Sequence, residues 1–174
     1  MAYFYEESEE KVSTPKDSFW MNHCLDLAKE AKGMGEVPVG AIIVHKDRIV
    51  GQAFNRKEID QNPIAHAELL AIQEASRNLG RWRLSNCTLY VTLEPCIMCT
   101  GAIIQSRVER VVYGTPDAKA GAIESVYKVF EDNKLNHKAE VVSGVSKEPS
   151  SKILKEFFSE LREQKKTSPL ETSL

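Results

Sequence analysis

Apolar positions along the chain alternate between helical and extended patterns. Phe19, Trp20, Cys24, Leu27, Ala28 and Ala31 recur at the spacing of one helix face, and Gly33 and Gly35 end the run. Upstream, Thr14 suits a cap, Pro15 suits the first helical position, and Asp17 can close a capping box on Thr14. Two β-branched runs follow, Val39 to Val44 and Ile49 to Phe54. The polar His45-Lys46-Asp47-Arg48 between them predicts a hairpin. A helix is predicted after Pro63, with Ile64, Ala67, Leu70, Ala71 and Ala75 on its apolar side and an end near Gly80. Thr88 to Leu93 reads as a buried strand, Pro95 opens a short helix to about Gln105, and Val108 to Tyr113 gives the next strand. A loop over Gly114 to Ala122, a short helix near Ser125 to Phe130, a strand near Ala139 to Val142 and a last helix from about Ser150 to Gln164 complete the pattern. The order α-β-β-α-β-α-β-α-β-α predicts an α/β fold, one mixed sheet with helices on both faces.

Composition narrows the class. With 174 residues, 42% apolar and 28% charged, the chain reads as one globular domain. The longest apolar stretches, such as Ala41 to Val44, are too short to cross a bilayer. The first residues are acidic where a secretory signal is basic and then apolar, so a cytoplasmic protein with no membrane partner is expected. Residues 1–13 lack an amphipathic period and read as a flexible acidic extension; 14–166 form the domain, and 167–174 a flexible tail. The net charge of −2 does not exclude nucleic acid. Glu6, Glu7, Glu9 and Glu10 outweigh it, which leaves +2 for the rest.

Four cysteines do not make a disulfide framework in a chain of this size, and two of them form a Cys-x-x-Cys pair. The candidate chemistry lies in two motifs, His66-Ala67-Glu68 and Pro95-Cys96-Ile97-Met98-Cys99. Cys96 and Cys99 are three apart, so on a helix their side chains share a face and can converge on one ion. A helix start favours thiolate, the form that zinc needs. His66, early in its own helix, can reach across. Three protein ligands leave one tetrahedral position for water, the mark of a catalytic zinc site. Glu68 is about 200° round the helix from His66 and need not coordinate. A carboxylate there can move protons for hydrolytic deamination. Three other readings stay open: a redox pair, a structural zinc with Cys87 or His45 as fourth ligand, and a non-catalytic zinc-binding module.

At these residues the chain resembles the cytidine-deaminase-like superfamily, and within it the bacterial deaminases that edit tRNA adenosine. The resemblance runs from about Phe19 to Lys166. Beyond the metal motifs it rests on Glu36-Val37-Pro38-Val39-Gly40-Ala41, on Asn55, and on Thr92-Leu93-Glu94-Pro95. Tyr113-Gly114, Asp117-Ala118-Lys119, Asn136-His137 and Phe157-Phe158 add to it. It implies a three-layer α-β-α sandwich with a mixed, about five-stranded sheet, one zinc per subunit and a homodimer. It implies deamination of adenosine to inosine at the wobble position of a tRNA anticodon stem-loop, the base being turned out into the site. By the same resemblance, Pro38 and Val39 line the base pocket and Asn55 bonds the nucleoside. Ala67 and Glu94 lie near the ring, and Asp117 near the nucleotide backbone. Lys119, Phe158, Arg162, Lys165 and Lys166 are candidate RNA contacts. The metal motifs are shared across the superfamily, so a deaminase of free guanine, cytosine or a nucleotide is the nearest alternative.

For several residues plainer roles compete. Pro38 can simply start a strand, Asn55 make a turn and Asp117 cap a loop. His137 reads as a structural hydrogen-bonding residue, and Cys24 and Cys87 read as core. Arg107 and Arg110 face either phosphates or solvent.

Overall fold

The computed structural model describes residues 13–131 and 134–167. Apart from Ser13 and Thr167, the acidic extension and the tail expected from the sequence lie outside the described residues. The element order is α1 (Pro15–Gly33), β1 (Gly40–His45), β2 (Arg48–Phe54), α2 (Ala67–Leu79), β3 (Cys87–Leu93), α3 (Ile97–Ser106), β4 (Arg110–Thr115), β5 (Glu140–Val142) and α4 (Lys147–Thr167). One five-stranded sheet runs β2-β1-β3-β4-β5. β1 pairs antiparallel with β2 and β3, whereas β3-β4 and β4-β5 are parallel, so the sheet is mixed as expected.

The hairpin turn is tighter than the four polar residues imply. His45 pairs with Arg48, and only Lys46 and Asp47 turn the chain, with φ of 49° and 56°. Both are left-handed, the geometry that matches the twist of the two strands.

Period-two alternation then divides the core. Ala41, Ile43, Leu89, Val91, Val111 and Tyr113 pack with α2 and α3 on one face. Ile42, Val44, Tyr90 and Val112 pack with α1 on the other, where α4 lies beside α1 over β4. Two glycines allow the close approach of helix to sheet. A Cβ on Gly40 would come within 2.1 Å of the Cys24 carbonyl in α1. One on Gly51 would come within 2.2 Å of the Ala71 carbonyl in α2. Three layers result.

Below the first helix, a buried ion pair ties α1 to the sheet. Asp17, 1% exposed, accepts from the Arg110 guanidinium at 2.7 and 3.0 Å, from the Tyr90 hydroxyl at 2.9 Å, and from Thr14 N–H at 2.8 Å. Arg110 therefore faces this pair, which overrules the phosphate and solvent alternatives. Arg107 instead donates to the Ile104 carbonyl and to Asn136 Oδ1.

Two helix expectations need correction. The helix placed over Ser125 to Phe130 is only a short 3-10 turn, Val129–Glu131. Its would-be first amides are drawn elsewhere: Glu124 and Ser125 N–H go to Glu94, and Val126 and Tyr127 N–H both go to the Gly121 carbonyl. The second helix starts at Ala67, not after Pro63. Asn62 takes Ile64 N–H on its side chain and Ala65 N–H on its carbonyl, which holds a turn there and leaves Ile64 exposed.

Candidate active site

His66 and Cys96 occupy equivalent places at the starts of two neighbouring helices. Each is the extended residue immediately before a helix, φ −78° and ψ 147° for His66, φ −73° and ψ 175° for Cys96. Their carbonyls accept the first helical bonds, from Leu70 and Thr100. Cys99 follows in the first turn of α3 and is fully buried. Two helix N-termini thus meet at one point beside the carboxyl end of β3, and their exposed amides favour negative sulfur there.

The spacing of the three ligand atoms tests the metal reading. Cys96 Sγ lies 3.7 Å from Cys99 Sγ and 3.7 Å from His66 Nδ1, and Cys99 Sγ lies 3.5 Å from His66 Nδ1. A tetrahedral zinc-sized ion, about 2.3 Å from sulfur and about 2.0 Å from nitrogen, sets such pairs roughly 3.5–3.8 Å apart. The triad has the dimensions of a tetrahedral face, and the three side chains could hold a metal. Disulfide bonding requires about 2.05 Å, so the pair is not a disulfide. His45 and Cys87 face each other at the far end of β1 and β3, which removes them as a fourth ligand. The hydrogen bond from Cys99, and then that from His66, hold Cys96 below the usual thiol range against the opposing effect of burial. Cys99, as donor, is pushed up by that same bond and by burial.

Glu68 stands on the second position of α2 and is 4% exposed. Its carboxyl interacts with Cys99 and with His66, and burial raises it above the usual carboxylate range. A buried acid beside such a group of ligands, raised above its ordinary range, can both accept and return a proton.

Two further buried carboxylates, Glu94 and Glu36, hold loops. Glu94, 2% exposed, accepts four backbone N–H groups: Asp117 at 3.0 Å, Ile123 at 3.1 Å, Glu124 at 2.8 Å and Ser125 at 2.9 Å. It also accepts the Ser125 hydroxyl. Burial alone would raise it, but the bonds from Ser125, Glu124 and Asp117 prevail and hold it below the ordinary range. The family resemblance places the Glu94 region near a substrate ring, and the Glu94 side chain is engaged by this loop. Asp117 does cap its loop, accepting Lys119 N–H at 2.9 Å on Oδ1. The sequence alone does not single out Glu36, because a buried glutamate looks like a surface one in a string of residues. It is fully buried, and it holds Asn55 Nδ2 at 2.9 Å together with the N–H groups of Glu58 and Ile59.

Pro38, Val39, Asn55 and Ala67 are all buried, and Asn55 N–H donates to the Val39 carbonyl at 3.0 Å. A groove of about 560 Å³ lies alongside, lined by Asp117, Lys119, Phe158 and Arg162 together with Val37 and Leu93. Four residues expected near nucleic acid therefore share one groove, and its wall residues Val37 and Leu93 adjoin Pro38 and Glu94 in the chain. Lys165 and Lys166 are exposed farther along α4 and do not line it. His137 Nε2 lies 2.7 Å from the Val108 carbonyl, and Cys24 and Cys87 are buried in the core.

Sheet order and site together define a cytidine-deaminase-like fold with a His-Cys-Cys centre. Residues 16–162 match the MafB19-like deaminases, and the chain belongs to that family. It is 47% identical over 153 residues to a tRNA-specific adenosine deaminase of Bacillus subtilis (strain 168), covering 88% of this chain and 95% of the relative. It is 46% identical to a protein of that name from Haemophilus influenzae, over 90% of this chain and 91% of the relative. A solved structure from a study of A-to-I editing by tRNA:A34 deaminases superposes with a TM-score of 0.76 at 39% identity, covering 79% of this chain and 99% of that one.

Proposed function

We propose that the protein is a zinc-dependent hydrolytic deaminase that converts adenosine to inosine at the wobble position of a tRNA anticodon. The observation that carries this reading is the His66-Cys96-Cys99 face with buried Glu68 against it. The names of the relatives supply the substrate. Zinc suits one imidazole and two thiolates better than harder ions do. When bound, zinc supplies the Lewis acidity that makes water nucleophilic near neutral pH.

The proton transfers fall to the protein. Glu68 takes a proton from the attacking water and delivers it to ring N1 as the oxygen bonds to C6. It then passes the second proton to the exocyclic amine, which leaves as ammonia. Adenosine and water thus give inosine and ammonia. Pro38 and Val39 wall the base, Asn55 bonds the nucleoside, and Ala67 N–H is a first-turn amide that no helical carbonyl reaches. Glu94 and Asp117 act through the loop they shape. Reaching C6 requires the base to leave its stack, which is easiest in a loop that is already single-stranded. Lys119, Phe158 and Arg162 offer that loop charge and one aromatic face, with Lys165 and Lys166 beyond them.

The substrate places the enzyme in the cytoplasm. Among the described residues no helix is long and apolar enough to cross a membrane. Ile64 before α2, Trp82 after α2 and Ile97 on α3 are exposed apolar side chains, which supports reading the protein as a homodimer. The test of function is base conversion by the purified, metal-loaded protein. An adenosine-wobble anticodon stem-loop is compared with free adenosine, guanine and cytidine. Inosine in the stem-loop alone is expected. Conversion of a free base with none in RNA would move the protein to the small-molecule alternative.

A further inference from the structure

Glu36 reaches the site by a specific backbone path. α1 ends in a left-handed turn at Gly35, φ 80°, and Glu36 N–H folds back onto the Ala31 carbonyl at 3.0 Å. That turn aims the side chain inward, where it is fully buried. Its two oxygens then divide their work. Oε1 accepts Glu58 N–H at 2.7 Å and Ile59 N–H at 2.8 Å, and Oε2 accepts Asn55 Nδ2 at 2.9 Å. Tethering the 58–59 loop uses only the first oxygen. The second is turned on Asn55.

The consequence is chemical as well as geometric. An asparagine amide can present its two ends either way round, and the choice decides whether a ligand meets a donor or an acceptor. Both Glu36 oxygens act as acceptors, Oε1 toward the Glu58 and Ile59 N–H groups and Oε2 toward Asn55, so Glu36 admits one choice: Nδ2 toward Glu36. The bonds of Asn55 to the protein run through its two nitrogens, N–H to Val39 and Nδ2 to Glu36. Among the described residues no donor is bonded to Oδ1, which is thus left for a donor on the substrate. We propose that Glu36 is a positioning residue that locks the Asn55 amide in a single orientation, so that the site presents a fixed acceptor to the nucleoside. This rests on the reading of Asn55 as a substrate contact.

Glu36→Gln separates the two functions of the carboxylate. Glutamine keeps an oxygen for Glu58 and Ile59 N–H and places an NH2 against the Asn55 NH2. Two donors cannot satisfy each other, so the Asn55 amide must turn over or withdraw. The experiment is a double-mutant cycle of Glu36→Gln and Asn55→Ala, scored by kcat/KM on the anticodon stem-loop, with Tm and metal content measured beside it. Glu36→Gln is expected to lower kcat/KM roughly 10- to 100-fold, as for loss of a charged hydrogen bond, with metal content unchanged. In the Asn55→Ala background the same change is expected to move kcat/KM less than about 3-fold. Wild-type kcat/KM in Glu36→Gln, or equal losses in both backgrounds, overturns the proposal. If the wild type converts a free base instead of the stem-loop, the function reading fails by itself. The cycle run on that base then still decides between coupling and independence.

Discussion

Glu94 connects the chain just before Cys96 to the loop over 117–125, and its removal has a size that the structure sets. In Glu94→Ala five donors lose their acceptor: N–H of Asp117, Ile123, Glu124 and Ser125, and the Ser125 hydroxyl. Ile123 N–H is buried and would stand unsatisfied, at about 2 kcal/mol; the others are part-buried, so water recovers much of their loss, roughly 0.5 kcal/mol each remaining. The expected destabilisation is about 3–4 kcal/mol, or roughly 10 °C in Tm for a chain of this length. Glu94→Gln keeps one oxygen for the three N–H groups on Oε1 and should lose about half as much. Urea denaturation of the three proteins, with hydrogen exchange at Ile123, Glu124 and Ser125, measures this. The pH dependence gives a second handle. Because the folded pKa of Glu94 is depressed, its contribution is present above the unfolded carboxylate value of about 4.3 and is lost as pH falls from there through the folded value. Glu94→Gln should therefore lose stability less steeply than wild type below about pH 5. Depressed Asp17 titrates in the same window in both proteins, so the difference isolates Glu94. A loss below about 1 kcal/mol in Glu94→Ala, with exchange protection intact, would refute the account of this loop.

Glu68→Ala should retain metal while turnover falls by about 10²–10⁴ or more, whereas His66→Ala should lose both; metal analysis beside inosine formation separates them. Gly51→Ala puts a Cβ 2.2 Å from the Ala71 carbonyl and should lower stability by about 2–3 kcal/mol in urea denaturation. Asp17→Asn removes the buried partner of Arg110 and leaves it only the longer contact to Glu140, 3.6 Å from Nε, so a loss of about 2–3 kcal/mol is expected from thermal unfolding. Lys165→Ala with Lys166→Ala should weaken tRNA binding and flatten its dependence on salt, by about 0.7–0.9 in slope for each phosphate no longer neutralised. An unchanged slope removes these lysines from the interface.

The local patterns of the chain are sufficient for the strands, four of the helices and the His66-Cys96-Cys99 group. The unbroken apolar run from Ala41 to Val44 marks a strand buried on both faces because successive side chains point to opposite sides of the sheet. Cys96 and Cys99 converge because the residue that caps a helix start and the third helical residue face each other across the first turn, a relation confined to four residues. The helix expected over Ser125 to Phe130 fails for the opposite reason. Whether that segment coils depends on where its amides go, and Glu94, some thirty residues earlier, competes for them.

What the sequence by itself determined, then, are the features whose physics is confined to a few consecutive residues: periodicity, caps, turns and the ligand spacing. Tertiary structure alone decided the charges. Glu36, Glu68 and Glu94 are the same residue in the sequence, and each is buried by distant elements. One then meets an asparagine and a loop, one meets a thiol, and one meets four backbone amides. Arg110, which the sequence allows to face phosphate or solvent, meets Asp17 from across the sheet. A carboxylate's role is set by burial and by the donors around it, and both belong to chain segments far away in sequence.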